Sequence, residues 1–269
     1  MMKVATILPQ TYLAVTEDDK YLMSLAHLIN KPGMEEYTNF FTRKAKQEGT
    51  FLIMDNGLIE GDPRPIEELL QKALDVGAHE LILPDVFRDS RGTLQAVEKA
   101  SKYLEKQFGD DWPVGFMAVP QGETLEQWLS CAIMLLDNPV VSCIGVPKVL
   151  VDIAGRDGRL RAIQELANRT GDIGGRALHL LGCWRTPLEV SIIAKAVEQE
   201  KIPEIRGVDS AIPYVYARAG IKINDDDRPD SEPIDFEDGT IEDEALMCYN
   251  ILFWRDCVDM RADKEMFLI

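Results

Sequence analysis

Histidine is scarce and cysteine unpatterned in this chain. His27, His79 and His179 are its only imidazoles, and Cys131, Cys143, Cys183, Cys248 and Cys257 lie scattered with no Cys-x-x-Cys pair. A structural zinc site needs thiolates and imidazoles at short, repeated spacings, and a disulfide framework needs paired ones. Neither is expected, so the metal set is empty and the thiols read as free, mostly buried small hydrophobes. No run of eighteen apolar residues occurs, and the start, "MMKVATILPQ", lacks a long apolar stretch followed by a small-residue cleavage site. No membrane span or secretory signal is expected, and the cytoplasm is the expected location.

Basic residues are also in deficit. Lys and Arg number 29 against 46 Asp and Glu, a formal net charge of −17, which at first sight speaks against nucleic acid, whose phosphates attract Lys and Arg. The deficit is local, however. Between Asp225 and Glu244 eleven carboxylates face one arginine, leaving only −7 for the remainder. This stretch reads as a solvated acidic loop at about 222–244, interrupted by Pro and Gly.

What is present is a repeat of short apolar runs and amphipathic segments. The runs are Val4–Leu8, Phe51–Met54, Glu80–Leu83, Val114–Val119, Val140–Val146, Ala177–Gly182 and Ile205–Val208, with an eighth candidate at Tyr21–Ile29 that could equally be a helix. Between them, stretches such as "PIEELLQKALDVGA" and "TLEQWLSCAIMLL" place apolar residues at i, i+3 and i+4 behind helix-starting Pro or Thr. Continuously apolar strands alternating with helices imply a parallel sheet covered on its outside. A doubly wound sheet satisfies the pattern too, but eight strands favour an α/β chain folded as one (β/α)8 TIM barrel over residues 1–269. The tail "EDEALMCYNILFWRDCVDM" is expected to form a C-terminal helix against it.

Chemistry in such a barrel gathers at the C-terminal strand ends. Those positions hold Asp55, Asp85, Gln121 with Gly122, Gly145, the "GCWR" after Leu181, and Asp209. Each aspartate alone could be a helix cap, and each glycine a turn residue. Three carboxylates and an amide around one mouth suit cleavage at an anomeric carbon. One carboxylate attacks or stabilises the oxocarbenium-like centre, another exchanges a proton with the leaving group, and the rest pair with a base edge.

The order "DNG" at Asp55, "PDV" at Asp85, "VPQG" at Gln121, "CIGVP" at Gly145, "HLLGC" at Gly182 and "VDSAIP" at Asp209 resembles that of the tRNA-guanine transglycosylases over Asp55–Gly220. The zinc motif and zinc subdomain of that family are absent, Val215 replaces one of its arginines, and Ile59 stands where an aromatic usually stacks on the base. The resemblance is therefore nearer to the zinc-free phage and genomic-island DNA 7-deazaguanine transglycosylases. It implies Asp209 as a nucleophile forming a covalent intermediate and Asp55 as acid/base. It further implies substrate binding by Asn56, Asp85, Gln121, Gly122, Gly145 and Arg218, with no cofactor. The expected partners are DNA and a 7-deazaguanine base such as preQ0, with tRNA as the alternative nucleic acid and a homodimer allowed for. A phage-encoded protein of this kind would work in the host cytoplasm. Other readings are a barrel without catalysis that serves as a nucleic-acid-binding or partner subunit, and an unrelated barrel lyase or hydrolase.

Overall fold

The computed structural model of the protein describes residues 2–171, 173–183, 187–224, 229, 236, 237 and 239–259. Much of the acidic loop lies outside these residues, as do Trp184 and Arg185 of the "GCWR" segment.

The apolar runs fold as eight strands: β1 (Lys3–Thr6), β2 (Tyr21–Leu25), β3 (Phe51–Asp55), β4 (Glu80–Ile82), β5 (Gly115–Ala118), β6 (Cys143–Pro147), β7 (Ala177–Leu181) and β8 (Ile205–Ser210). All the ladders are parallel, in the order β1-β8-β7-β6-β5-β4-β3-β2. The two end strands, β1 and β2, come side by side, giving a nearly closed (β/α)8 barrel. In register, Ala5 of β1 stands beside Asp209 and Leu25 of β2 beside Asp55. The two aspartates thus sit at the same end of the barrel, with β1 and β2 between them.

The ambiguous run from Tyr21 resolves by burial. All five residues of Tyr21–Leu25 are buried, as a strand in the wall of a barrel requires and as an amphipathic helix would not allow. The chain then leaves the sheet through a turn that begins at Ala26.

The helices are α1 (Glu35–Ala45), α2 (Ile66–Val76), α3 (Ser90–Phe108), α4 (Leu125–Leu136), α5 (Leu150–Ala154), α6 (Gly158–Thr170), α7 (Leu188–Glu198), α8 (Ile212–Arg218) and α9 (Glu244–Val258). Side-chain caps fix several starts. Asp89 accepts from the Gly92 amide at 2.9 Å, Thr124 from Gln127 at 3.3 Å and Asp243 from Leu246 at 3.0 Å. Gly77 ends α2 in the left-handed conformation. The C-terminal helix α9 buries Trp254 and Phe253 and packs on α7, α8 and β1. Among the described residues no helix is long and apolar enough to cross a membrane.

Candidate active site

Asp55 ends β3, and its carboxylate turns back to accept the Gly57 amide at 2.9 Å. That turn carries the chain round so that the Glu60 carboxyl comes near the Asp55 carboxyl. Loss of water around Asp55, and then the charge of Glu60, push its carboxyl well above the ordinary range. Glu60 is raised too, by the part of its carboxyl turned away from water, although the residue as a whole is exposed. Each carboxyl's charge bears on the other, so the two titrations are linked.

Asp209, in β8, is 5% exposed. Its Oδ1 lies 3.0 Å from His179 Nε2 and its Oδ2 accepts the Gly182 amide at 3.2 Å. The loop bearing that amide is itself clamped. Fully buried Arg159 donates to the carbonyl of Gly182 at 2.8 Å while making two 2.7 Å bonds to Glu189. The negative charge of Asp209 bears on both Asp55 and Glu60. Lys148, just beyond β6, is exposed, and its positive charge also reaches Glu60.

Asp85 follows β4 and is 8% exposed. It accepts from Asn56 Nδ2 at 2.7 Å and from Gln121 Nε2 at 2.6 Å, and Gln121 accepts the Arg88 amide at 3.1 Å. Burial raises Asp85 to about 6 against the pull of these two amides. Asn56 also donates to the Leu83 carbonyl at 2.8 Å and accepts from the Leu58 amide at 3.0 Å. Asn56, Asp85 and Gln121 thus form one network joining the loops after β3, β4 and β5.

The two glycines are held by packing. A Cβ on Gly122 would lie 2.7 Å from the Trp128 amide nitrogen, so α4 approaches its backbone directly, and one on Gly145 would meet Leu181 Cδ1 at 2.6 Å. Arg218 is exposed in the last turn of α8, about 9 Å along the axis from the start of that helix.

Sequence reasoning did not single out Glu60, Lys148 or His179. Glu60 and Lys148 lie within five or six residues of quoted strand ends, which is the signal that could have found them. His179 is an inward-facing residue in mid-strand and carries no such signal. Beside Glu60 a cavity of about 530 Å3 opens, walled by His27, Lys31, Asp62, Arg64 and Lys72 among others. Among the described residues no group of three or more His, Cys, Asp or Glu is arranged to hold a metal ion.

The fold and this site define a (β/α)8 barrel with an acidic mouth. No protein-family model matches the chain, and no curated protein matches it. Solved structures match by shape. The carboxyl transferase domain of Rhizobium etli pyruvate carboxylase, solved with pyruvate, aligns at TM-score 0.53 and 10% identity, covering 96% of this chain and 47% of that one. N-acetylneuraminate lyase from Mycoplasma synoviae aligns at TM-score 0.45 and 13% identity, covering 98% and 84%. A monomeric dihydrodipicolinate synthase variant aligns at TM-score 0.48 and 12% identity, covering 80% and 70%. At such identities these likenesses show the barrel alone.

The expectation of a DNA-guanine transglycosylase that inserts preQ0 or another 7-deazaguanine is corrected here, together with its tRNA-acting, queuine tRNA-ribosyltransferase-like alternative. No family model supports it, and the barrel matched at TM-score 0.53 is a carboxyl transferase domain, not a transglycosylase. The local chemistry explains how the motifs misled. Asp85 and Gln121, expected to read a guanine edge, bond to each other, and Asp85 bonds also to Asn56, in a network that joins three loops. Short Asp-, Gln- and Gly-bearing strand ends recur in any barrel that needs such networks and close helix approaches.

Proposed function

We propose that the protein is an acid–base enzyme of the lyase or isomerase type, acting on a small polar molecule at the C-terminal mouth of the barrel. The carrying observation is that Asp55 and Asp209 stand at the same end of the barrel, with Glu60 and Asp55 raised beside each other. Carboxyls held in different surroundings within one site are the material from which acid and base roles are made. In this reading Asp55–Glu60 delivers a proton to a leaving or carbonyl oxygen, and Asp209, whose two oxygens act as acceptors, removes one from carbon or hydroxyl.

The charge at the mouth narrows the substrate. Asp55, Glu60 and Asp209 favour a ligand with hydroxyl or amino donors.

The first test needs no substrate. Titration of 13C-labelled carboxyls by NMR should place Asp55 and Glu60 above the ordinary carboxylate range; ordinary values for both would overturn the reading. The second is incubation in D2O with a panel of polyols, amino alcohols and hydroxy acids, following loss of C–H signals or new products by 1H NMR. Asp209→Asn and Asp55→Asn should each slow such a reaction by about 100-fold or more, the range of general acid–base contributions. A borohydride-stable adduct on Lys148 with a 2-oxo acid would instead move the chemistry to that amine.

A further inference from the structure

Below Asp209 a chain of polar side chains runs down the barrel interior, and none of them had a role in the reading above. His179 Nδ1 lies 2.8 Å from the Tyr21 hydroxyl, and that oxygen accepts from Arg206 Nε at 3.1 Å. Arg206 continues with Nη1 to Glu80 Oε1 at 2.9 Å and Nη2 to Glu80 Oε2. His179 is fully buried, and Tyr21 and Glu80 are 4% and 2% exposed. The path spans the barrel. Tyr21 and Glu80 are the first residues of β2 and β4, at the N-terminal end, whereas Asp209 is near the end of β8.

Space for it is built in. A Cβ on Gly207 would stand 2.5 Å from the Tyr21 ring, so the glycine between Arg206 and Val208 is what lets that ring lie under the barrel floor. Arg206 stacks over Phe51 at 4.8 Å, and Phe51 stacks on Tyr21 at 5.8 Å, fixing both ends of the Arg206–Tyr21 contact.

We infer that Tyr21 and Arg206 are positioning residues that hold His179 as the neutral Nε2–H tautomer, so that the imidazole acts as a fixed donor to Asp209. The direction follows from counting protons. Arg206 has only donors, so it occupies a lone pair of the Tyr21 oxygen, and the Tyr21 hydrogen is free to point at His179 Nδ1. Nδ1 is then an acceptor, and the single imidazole proton must be on Nε2, facing Asp209 Oδ1. In the reverse arrangement His179 Nδ1–H and Arg206 would both donate to Tyr21, and the phenol hydrogen, with no acceptor shown for it among the described residues, would be stranded in the interior. Burial raises the Tyr21 hydroxyl above its ordinary range, so it keeps the hydrogen this requires. The groups facing His179 are Tyr21, Asp209 and, one step further, Arg206, Glu80 and the Cys143 thiol.

The catalytic consequence rests on the acid–base reading, in which Asp209 is the base; the tautomer does not. Long-range 1H–15N spectra of the imidazoles read it in the resting protein without substrate, with His179 assigned by its loss in His179→Asn. The wild-type protein should show a protonated Nε2 and an acceptor Nδ1 for His179 at neutral pH. Tyr21→Phe, which removes the donor to Nδ1, should convert His179 to a mixture of tautomers, and Arg206→Gln should move its Nδ1 resonance without touching the imidazole directly. An Nδ1–H tautomer or an imidazolium in the wild type overturns the inference, as does a His179 spectrum unchanged in Tyr21→Phe. If Tyr21→Phe does not fold, Arg206→Gln decides in the same way. A failed search for turnover would remove the acid–base reading and leave this result standing.

Discussion

Asp85 shows what a single strand-end carboxylate does here. It takes one amide hydrogen from Asn56 and one from Gln121, so its first effect is to hold three loops in register, whatever it later meets. Asp85→Ala should leave two buried amides short of a partner, a loss on the order of 2–4 kcal/mol, and should lower the urea midpoint; an unchanged midpoint would show that water replaces the carboxylate. Gly122 makes a parallel case in sterics. Its missing Cβ is the space through which the Trp128 amide approaches, and Gly122→Ala should cost about 1–3 kcal/mol by overpacking, readable as a drop in Tm. The aspartates were legible in the sequence because each follows an apolar run, and strand ends can be read from such runs. Glu60 was not, because it gains meaning only when the Gly57 turn folds it back on Asp55. His179 was hidden for a different reason: one histidine inside an apolar strand looks like any buried residue until Tyr21, 158 positions earlier, is brought to its side.

At the scale of elements, the sequence was most informative where one pattern had one meaning. The two quoted amphipathic segments match α2 and α4 closely, and the seven apolar runs match seven strands within a few residues. The largest shift is at β6, where Val140 and Val141 are buried but precede the ladder that begins at Cys143: burial extends beyond pairing, and composition reports only burial. Helix α1, "EEYTNFFTRKA", has its apolar face made of aromatics rather than of aliphatic repeats and gave no expectation. The C-terminal helix was foreseen, but not its fastening. Asn250 of α9 is fully buried, donates to the carbonyls of Pro213 at 3.3 Å and Ile221 at 3.1 Å, and accepts the Ile223 amide at 2.9 Å. It ties α9 to both ends of the segment that leaves β8. Asn250→Leu, nearly the same size but unable to make any of the three bonds, should destabilise by about 2–4 kcal/mol and raise amide hydrogen exchange in α8 and α9 before the rest of the barrel. Uniform exchange across the barrel would show that the helix is held by Trp254 and its apolar neighbours instead.

For the molecule as a whole, the acidity that first seemed a matter of partners becomes a matter of stability. Three carboxyls in the barrel mouth, Asp55, Glu60 and Asp85, are raised, in each case chiefly by loss of water. A carboxyl raised in the folded state binds its proton more tightly there than in the unfolded chain, so it contributes stability at low pH. That contribution is fully present below the unfolded value of 3.8 for Asp85 and is lost as pH rises through about 6, its folded value. The sign is opposite to that of the exposed Glu17, Glu98 and Glu126, which Arg43, Lys102 and Arg169 lower, but exposed pairs of that kind contribute little. The mouth should therefore make the protein less stable at pH 7 than near pH 4.5 relative to a variant lacking the titration. For Asp85 alone the interval corresponds to about 3 kcal/mol at most, at about 1.4 kcal/mol per unit. Asp85→Asn removes that titration while keeping the shape, and its altered hydrogen bonds to Asn56 and Gln121 add an offset that does not depend on pH. Comparing urea unfolding of wild type and Asp85→Asn at pH 4.5 and pH 7 cancels the offset. The stability difference between the two proteins should shift toward the variant by about 1–3 kcal/mol as pH rises. A difference independent of pH would mean that Asp85 ionises in the fold as it does in water, and that the mouth is wetter than its burial indicates.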